Sequence, residues 1–256
     1  MLTGIIVFAL VFTACKKENE TSKDKKFVTG EVIGPNGVKI KFMNYNLGAA
    51  DNIKTMTPAQ QAAHKTPADN YGDLYQWGRH TDGHEKRNSE TVNGPFYGSK
   101  LDANGQPTGT YANEFITNGD ITTNCDWRFP QKDDLWLSTS GIKTVNDPCP
   151  EGWRLPTNNE WQAVLDNNTT QWNNTGTRGR LITPKCESTP TLFLPAAGTR
   201  YNHDGSLSSA GTTGYYWSSS VKGTDAWDLR FASSDIGTTY RFSRAFGLSV
   251  RCVSEE

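Results

Sequence analysis

Beyond Thr191 the chain is written almost entirely as short alternating segments. TLFLPAAG, GYYWSSS, AWDLRFA, TYRFSR and FGLSVRCV follow one another, separated by Gly- or Ser-rich turns. Successive side chains of a strand point to opposite faces, so segments of this kind hide their apolar residues by pairing into a sheet laid on a core. Alternation groups Trp227, Leu229 and Phe231 on one face, with Asp228 and Arg230 opposite. In the last segment Leu248, Val250 and Cys252 share a face, with Ser249 and Arg251 on the other, which buries Cys252 in a sheet. Asp204-Gly205 is a reverse-turn dipeptide between two such segments.

The remainder supplies a few helices. Strand signals stand at Glu31–Ile33 and Lys39–Met43, the latter alternating Ile40 and Phe42 against Lys39, Lys41 and Met43. Thr57-Pro58 predicts a short helix through AQQAAH, with Thr as N-cap and Pro at the first helical position. Residues 66–126 read as mostly loop, because Gly, Asn, Asp and Thr interrupt each aromatic cluster. Thr157-Asn158-Asn159-Glu160 is a capping box, and Trp161, Val164 and Leu165 give the helix after it one apolar face. Helices ahead of a meandering antiparallel sheet make an α+β domain. Trp127-Arg128-Phe129-Pro130 and Trp153-Arg154-Leu155-Pro156 look alike, but their flanks do not match, so they are read as coincidence rather than duplication.

Composition narrows the function classes. The 256 residues leave room for one large domain or two small ones, and the 8 Trp, 9 Tyr and 11 Phe can bury much area per residue. With 26 Lys+Arg against 27 Asp+Glu, the net charge of -1 offers no electrostatic footprint for nucleic acid. A multi-pass membrane protein would need several apolar runs of about 20 residues. The one strongly apolar run, Leu2 to Ala14, is too short to span a bilayer and reads as a secretory signal peptide over 1–14. Val11-Phe12-Thr13-Ala14-Cys15 resembles a bacterial lipobox, which implies lipidation of Cys15 and cleavage before it. Lys16 to Lys26 is a polar tether, leaving 27–256 as a single domain. The expected location is the outer membrane, lipid-anchored, at the cell surface. The expected partners are the membrane through that anchor and a glycan or surface-protein ligand. With Cys15 set aside, Cys125, Cys149, Cys186 and Cys252 remain, an even number that implies two disulfides in three possible connectivities. No CxxC spacing and no nearby His point to zinc.

Several stretches together resemble the Fibrobacter succinogenes major paralogous domain family. They are Asn46-Leu47-Gly48-Ala49, the run YGDLYQWGR at 71–79, KTVNDPCPEGWRLPT at 143–157, LPAAG at 194–198, YWSSS at 216–220 and GLSVRCV at 247–253. The resemblance implies an exported, often lipid-anchored bacterial domain with kinship to the C-type-lectin-like fold, short helices packed on a small twisted antiparallel sheet with long loops. Formylglycine-generating enzymes share that fold. It also implies a staple between the terminal strand and an early helical region, carried over as Cys149–Cys252, which leaves Cys125–Cys186 by elimination.

Three sets of residues are weighed as sites. In C-type lectins a loop excursion before the last strands carries the ligand. Here the matching loop spans Thr199 to Gly214 and offers Arg200, Tyr201, Asn202, His203 and Asp204, residue types that suit sugar rings and hydroxyls. The Glu-Pro-Asn and Trp-Asn-Asp motifs of calcium-dependent lectins are missing. The preferred account of Tyr201 and Asp204 is that they only build a hairpin turn. His80, Asp82 and His84 are a candidate metal set, weighed against a solvated loop, which is preferred because Asp82-Gly83 favours a turn. Arg230, Arg241 and Arg251 are expected to form a salt-bridge network with Asp228. Trp77 with Arg79, and the Trp153/Trp161 pair, are expected in the core. No catalytic constellation and no cofactor motif stands out. The chain is therefore read as a binding or adhesion module. A structural subunit of a surface or pilus-type assembly is the alternative, and a metal-dependent enzyme of the formylglycine-generating-enzyme-like group comes third.

Overall fold

The architecture comes from a computed structural model that describes residues 29–255; the signal segment, Cys15 and the tether lie outside the described residues. In chain order the elements begin with β1 (Thr29–Ile33), β2 (Lys39–Met43), α1 (Pro58–Ala63), α2 (Pro67–Tyr71), β3 (Tyr75–Gln76), β4 (Thr91–Asn93), β5 (Phe115–Thr117), β6 (Trp153–Arg154) and α3 (Asn158–Asn167). They continue as β7 (Asn168–Asn173), β8 (Gly179–Pro184), β9 (Leu192–Pro195), β10 (Thr199–Arg200), β11 (Leu207–Ser208), β12 (Gly214–Lys222), β13 (Asp225–Phe231), β14 (Ile236–Ser243), β15 (Gly247–Leu248) and β16 (Val253–Ser254). This is a sheet-rich α+β fold of small, mostly antiparallel sheets and few short helices.

Local chemistry sets the helix starts. Thr57 accepts from the Gln60 amide while the Gln60 side chain accepts from the Thr57 amide, and Thr157 and Glu160 do the same at α3. Each cap satisfies amides that the first helical turn leaves free, worth about 1 kcal/mol. The helix α1 ends at Ala63, one residue short of the expected His64, whose extended backbone turns the chain away. Within the stretch read as loop, Thr66-Pro67 opens α2 with Pro in its first turn, as Thr57-Pro58 opens α1.

The chain ends are tied together in the sheet ordered β1-β2-β16-β6, where the terminal strand lies between β2 and β6. Cys149, just ahead of β6, is bonded to Cys252, just ahead of β16, as the family resemblance implied. The Cys125–Cys186 pairing does not form: Cys125 is a free, half-buried thiol in a left-handed turn at φ 50°. That turn follows Asp120, whereas Cys186 follows β8 beside Glu31 and Val32.

The long hairpins β12-β13-β14 lie between two cores, which changes the meaning of alternation. Trp217, Ala226, Leu248, Val250 and Cys252 join Trp77, Trp127 and Trp136 in one cluster. Tyr216, Leu229, Phe231 and Val253 join Phe42, Trp161 and Ile182 in the other. Residues expected on a solvated face are therefore buried: Asp228 and Ser249 at 0%, Arg251 at 1% and Met43 at 6% exposure. Arg251 is accommodated by hydrogen bonds from Nε and Nη2 to Asn46 Oδ1 at 2.9 and 2.6 Å, and from Nη1 to the Met43 carbonyl at 3.1 Å. Trp77 and Trp161 are fully buried, as expected, and Trp153 is half-buried at the edge of the first cluster.

Candidate functional site

The segment 79–85 is no solvated loop. It turns back onto β3 and buries His84, Arg79 and Glu85. His84 Nδ1 donates to Asp82 Oδ1 at 2.6 Å, and its Nε2 accepts from the Gln76 amide at 3.1 Å. Arg79 Nη2 donates to Asp82 Oδ2 at 2.8 Å, and Glu85 Oε2 accepts from the Gly83 amide at 2.8 Å. Burial pushes the His84 imidazole down to about 4, helped by the Arg79 charge. Asp82 is held below the usual carboxylate range against the cost of its own burial, by His84 and Arg79. Asp82, His84 and Glu85 do come within ligating distance of one another. His80 is not of that group; its backbone amide donates to Gln106 Oε1. Both ring nitrogens of His84 are already engaged, so its imidazole acts as a hydrogen-bonded brace with no lone pair to spare.

The 199–214 loop is the hairpin β10-β11, closed through Gly205 at φ +70°. Most of its five candidate residues build it. Arg200 is buried and gives its guanidinium to Gly205 O, Lys86 O, and Ser89 O and Oγ. Asn202 is buried, donating to Asn118 O. Asp204 accepts from the Ser206 amide and hydroxyl, the side-chain turn that fixes the hairpin tip. Only Tyr201 and His203 present faces that the turn does not use, their rings 5.4 Å apart.

From Tyr201 a row of rings runs across one face of β12-β14. Tyr201 lies 5.9 Å from Phe246, Phe246 4.7 Å from Phe242, and Phe242 5.4 Å from Tyr215. The Arg230 guanidinium closes the row, 5.8 Å from Tyr215 and 4.8 Å from Tyr240. Tyr201, Phe246, Phe242, Tyr240 and Arg230 are all half-buried, and Tyr215 lies in the first core cluster, so the row runs from the core to the surface. Directly opposite Tyr240 and Trp217 in the ladder, on the same face, sits Asp228. Neither carboxylate oxygen of Asp228 has a hydrogen-bond partner, nor has Nε of Arg230. Burial pushes the Asp228 carboxyl up to about 8, with Arg230 pulling the other way.

The expected network of three arginines on Asp228 is therefore replaced by three separate arrangements. Arg241 pairs with Asp225 at 3.1 Å, Arg251 belongs to Asn46, and Arg230 stacks on rings. Sequence reading put Asp228 in a salt-bridge network and missed that it is buried without a partner, because alternation assigns a face without saying what covers it. The one available signal was that Tyr240 and Phe242 alternate with Arg241, so aromatic rings had to share a face with something polar on β13.

What the face offers is aromatic surface, a buried carboxyl with no partner and a guanidinium edge with no acceptor. Comparison with curated proteins and with solved structures finds no match. The family model described as the Fibrobacter succinogenes major domain matches residues 34–254, so the chain belongs to that family.

Proposed function

We propose that this protein is a binding module whose ligand is a glycan, held on the ring-lined face of β12-β14. The observation that carries this reading is Asp228, a buried carboxyl with two unpartnered oxygens beneath half-buried rings. A buried unpaired acceptor costs about 1–3 kcal/mol, and more when charged. Sugar hydroxyls donate and accept at once, so one diol answers both Asp228 and Arg230 Nε while an apolar sugar face stacks on Tyr240 and Phe242. Arg230 stacks on Tyr240 beside that site. Delivery to the cell surface through a lipidated Cys15 fits such a role, as does a C-type-lectin-like arrangement. The arrangement is supported by the Cys149–Cys252 link between the terminal strand and the segment ahead of α3.

The test is a glycan array on the purified full chain, with Tyr240→Ala and Arg230→Ala beside it. The reading expects a restricted set of glycans bound by the wild type, weakened at least tenfold in Tyr240→Ala. A folded wild type that binds none, or a Tyr240→Ala variant that binds them all equally, overturns it.

A further inference from the structure

Four Asn-Gly pairs stand in the chain, at 36–37, 93–94, 104–105 and 118–119. In such a pair the glycine nitrogen is able to attack the asparagine side-chain carbonyl, because the glycine has no side chain to screen it. In a folded protein that attack needs a free side chain, an unused glycine amide and a backbone with room to turn.

Three of the pairs are held. Asn118 is 4% exposed; its Oδ1 accepts from the Asp120 amide at 2.9 Å, and its Nδ2 donates to Thr123 Oγ1 and the Asp126 carbonyl. Asn93 lies in the parallel β4-β5 pair, its Oδ1 accepting from Thr117 Oγ1. The Gly94 amide beside it donates to the Thr117 carbonyl at 2.8 Å. At the third pair the Gly105 amide donates to the Asp102 carbonyl at 3.0 Å, and the Asn104 carbonyl accepts from Asn146 Nδ2 at 3.1 Å.

Asn36-Gly37 differs in each respect. It forms the tip of the β1-β2 hairpin, with Asn36 exposed. The base of the turn is tied: the Gly34 amide donates to the Val38 carbonyl at 2.8 Å, the Val38 amide to the Pro35 carbonyl at 3.1 Å, and Asn167 Nδ2 to the Gly34 carbonyl at 2.8 Å. None of these bonds uses the Asn36 side chain or the Gly37 amide, and neither group meets a partner at hydrogen-bond geometry among the described residues. A Cβ placed on Gly37 would find nothing within 4 Å, so the space around it is open. Asn36 holds φ 55° and ψ 20°, the left-handed region that L residues adopt at a cost. Attack requires its backbone to turn out of that region, and the exposed side chain gives up no bond in doing so.

We propose that Asn36 is a site of spontaneous modification, the Asn-Gly pair of the folded chain that deamidates through a succinimide. The Gly37 nitrogen bonds to Asn36 Cγ, the Cγ–Nδ2 bond breaks, and the proton of the Gly37 N–H leaves with the amide nitrogen as ammonia. Water, the co-reactant, then opens the ring at either carbonyl, giving aspartate or isoaspartate; nothing is oxidised or reduced. Each event puts one negative charge on the turn, and the isoaspartate product also carries an extra methylene in its backbone. The site is separate from the ring-lined face and does not depend on a glycan binding there.

The test incubates the purified full chain at mildly alkaline pH, folded and in urea, and follows each pair by peptide mass mapping with fragmentation that separates aspartate from isoaspartate. In the folded chain Asn36 is expected to react about tenfold or more faster than the other three, which react only after local opening. In urea the four are expected to react at similar rates. An acidic form should accumulate on ion exchange in step with Asn36 loss, and Asn36→Gln should remove it, because the longer side chain closes its ring far more slowly. A folded chain in which Asn93, Asn104 or Asn118 reacts first overturns the proposal, as does an Asn36 that stays intact while urea consumes it. The same preference for Asn36 in urea also overturns it, since the selection would then not come from the fold.

Discussion

Replacing Asp228 by asparagine is a direct measurement of what its burial costs. The carboxyl is fully buried and its oxygens have no partner, so removing the charge breaks no hydrogen bond. An acid whose folded-state value lies above its unfolded one binds more protons in the native state. Stability is then greatest at low pH and falls as the pH rises from 3.8 towards about 8, above which the loss is complete. Each pH unit across that window costs about 1.4 kcal/mol, so the full effect has an upper bound of about 6 kcal/mol. Against a domain stability of about 5–15 kcal/mol this is a large fraction. Between pH 5 and pH 8 the wild type is expected to lose up to about 4 kcal/mol through this group alone. Urea unfolding of wild type and Asp228→Asn at both pH values gives the difference directly. Asp126 and Asp147, also raised to about 6, bend both curves alike and cancel. The variant is expected to gain on the wild type as pH rises. A stability difference that is the same at pH 5 and pH 8 refutes the reasoning, since it would mean that Asp228 is solvated or paired.

Other perturbations test the frame around the site. Replacing Cys149 and Cys252 together by alanine opens a link across 103 residues, and loop entropy predicts a loss of about 4–5 kcal/mol, read as a lower urea midpoint; an unchanged midpoint argues against the staple. His84, pushed down to about 4 by burial, should keep unchanged imidazole resonances from pH 7.5 to 5.5, with stability falling as the pH drops from 6.5 towards about 4; a midpoint near 6.5 would show that the segment is solvated after all. Gly72→Ala is expected to cost about 1–3 kcal/mol of unfolding free energy, because its φ is +66° and the new Cβ would collide with the Leu47 carbonyl; a variant as stable as wild type would contradict that backbone path.

The parts of this molecule that were legible in the sequence are those fixed by neighbours along the chain. Thr57 and Thr157 cap helices through groups three residues away, and Asp204-Gly205 makes a turn with its own side chain. Those interactions form wherever the segment lies, so composition and spacing suffice to find them. The α+β class follows from the same local signals added up. Pairing across long separations was less legible: Cys149–Cys252 came from a family resemblance, and elimination gave the wrong partner for Cys125.

Burial was decided only by the tertiary structure. Alternation in AWDLRFA and FGLSVRCV separates two faces, and a sheet with one core would leave Asp228, Ser249 and Arg251 in water. Here a second core covers the other face, so the same pattern yields a bonded Arg251 and an unpartnered Asp228. Asp82-Gly83 likewise made its turn, yet that turn folded inward against the Gln76 amide and became a brace. By itself the sequence determined the two capped helices, the C-terminal strands and the Asp204-Gly205 turn, because those depend on contacts within a few residues; the elements inside the stretch read as loop, and the β7-β8 hairpin, did not show there. What covers each face depends on segments distant along the chain, and that covering leaves Asp228 among the buried groups without partners.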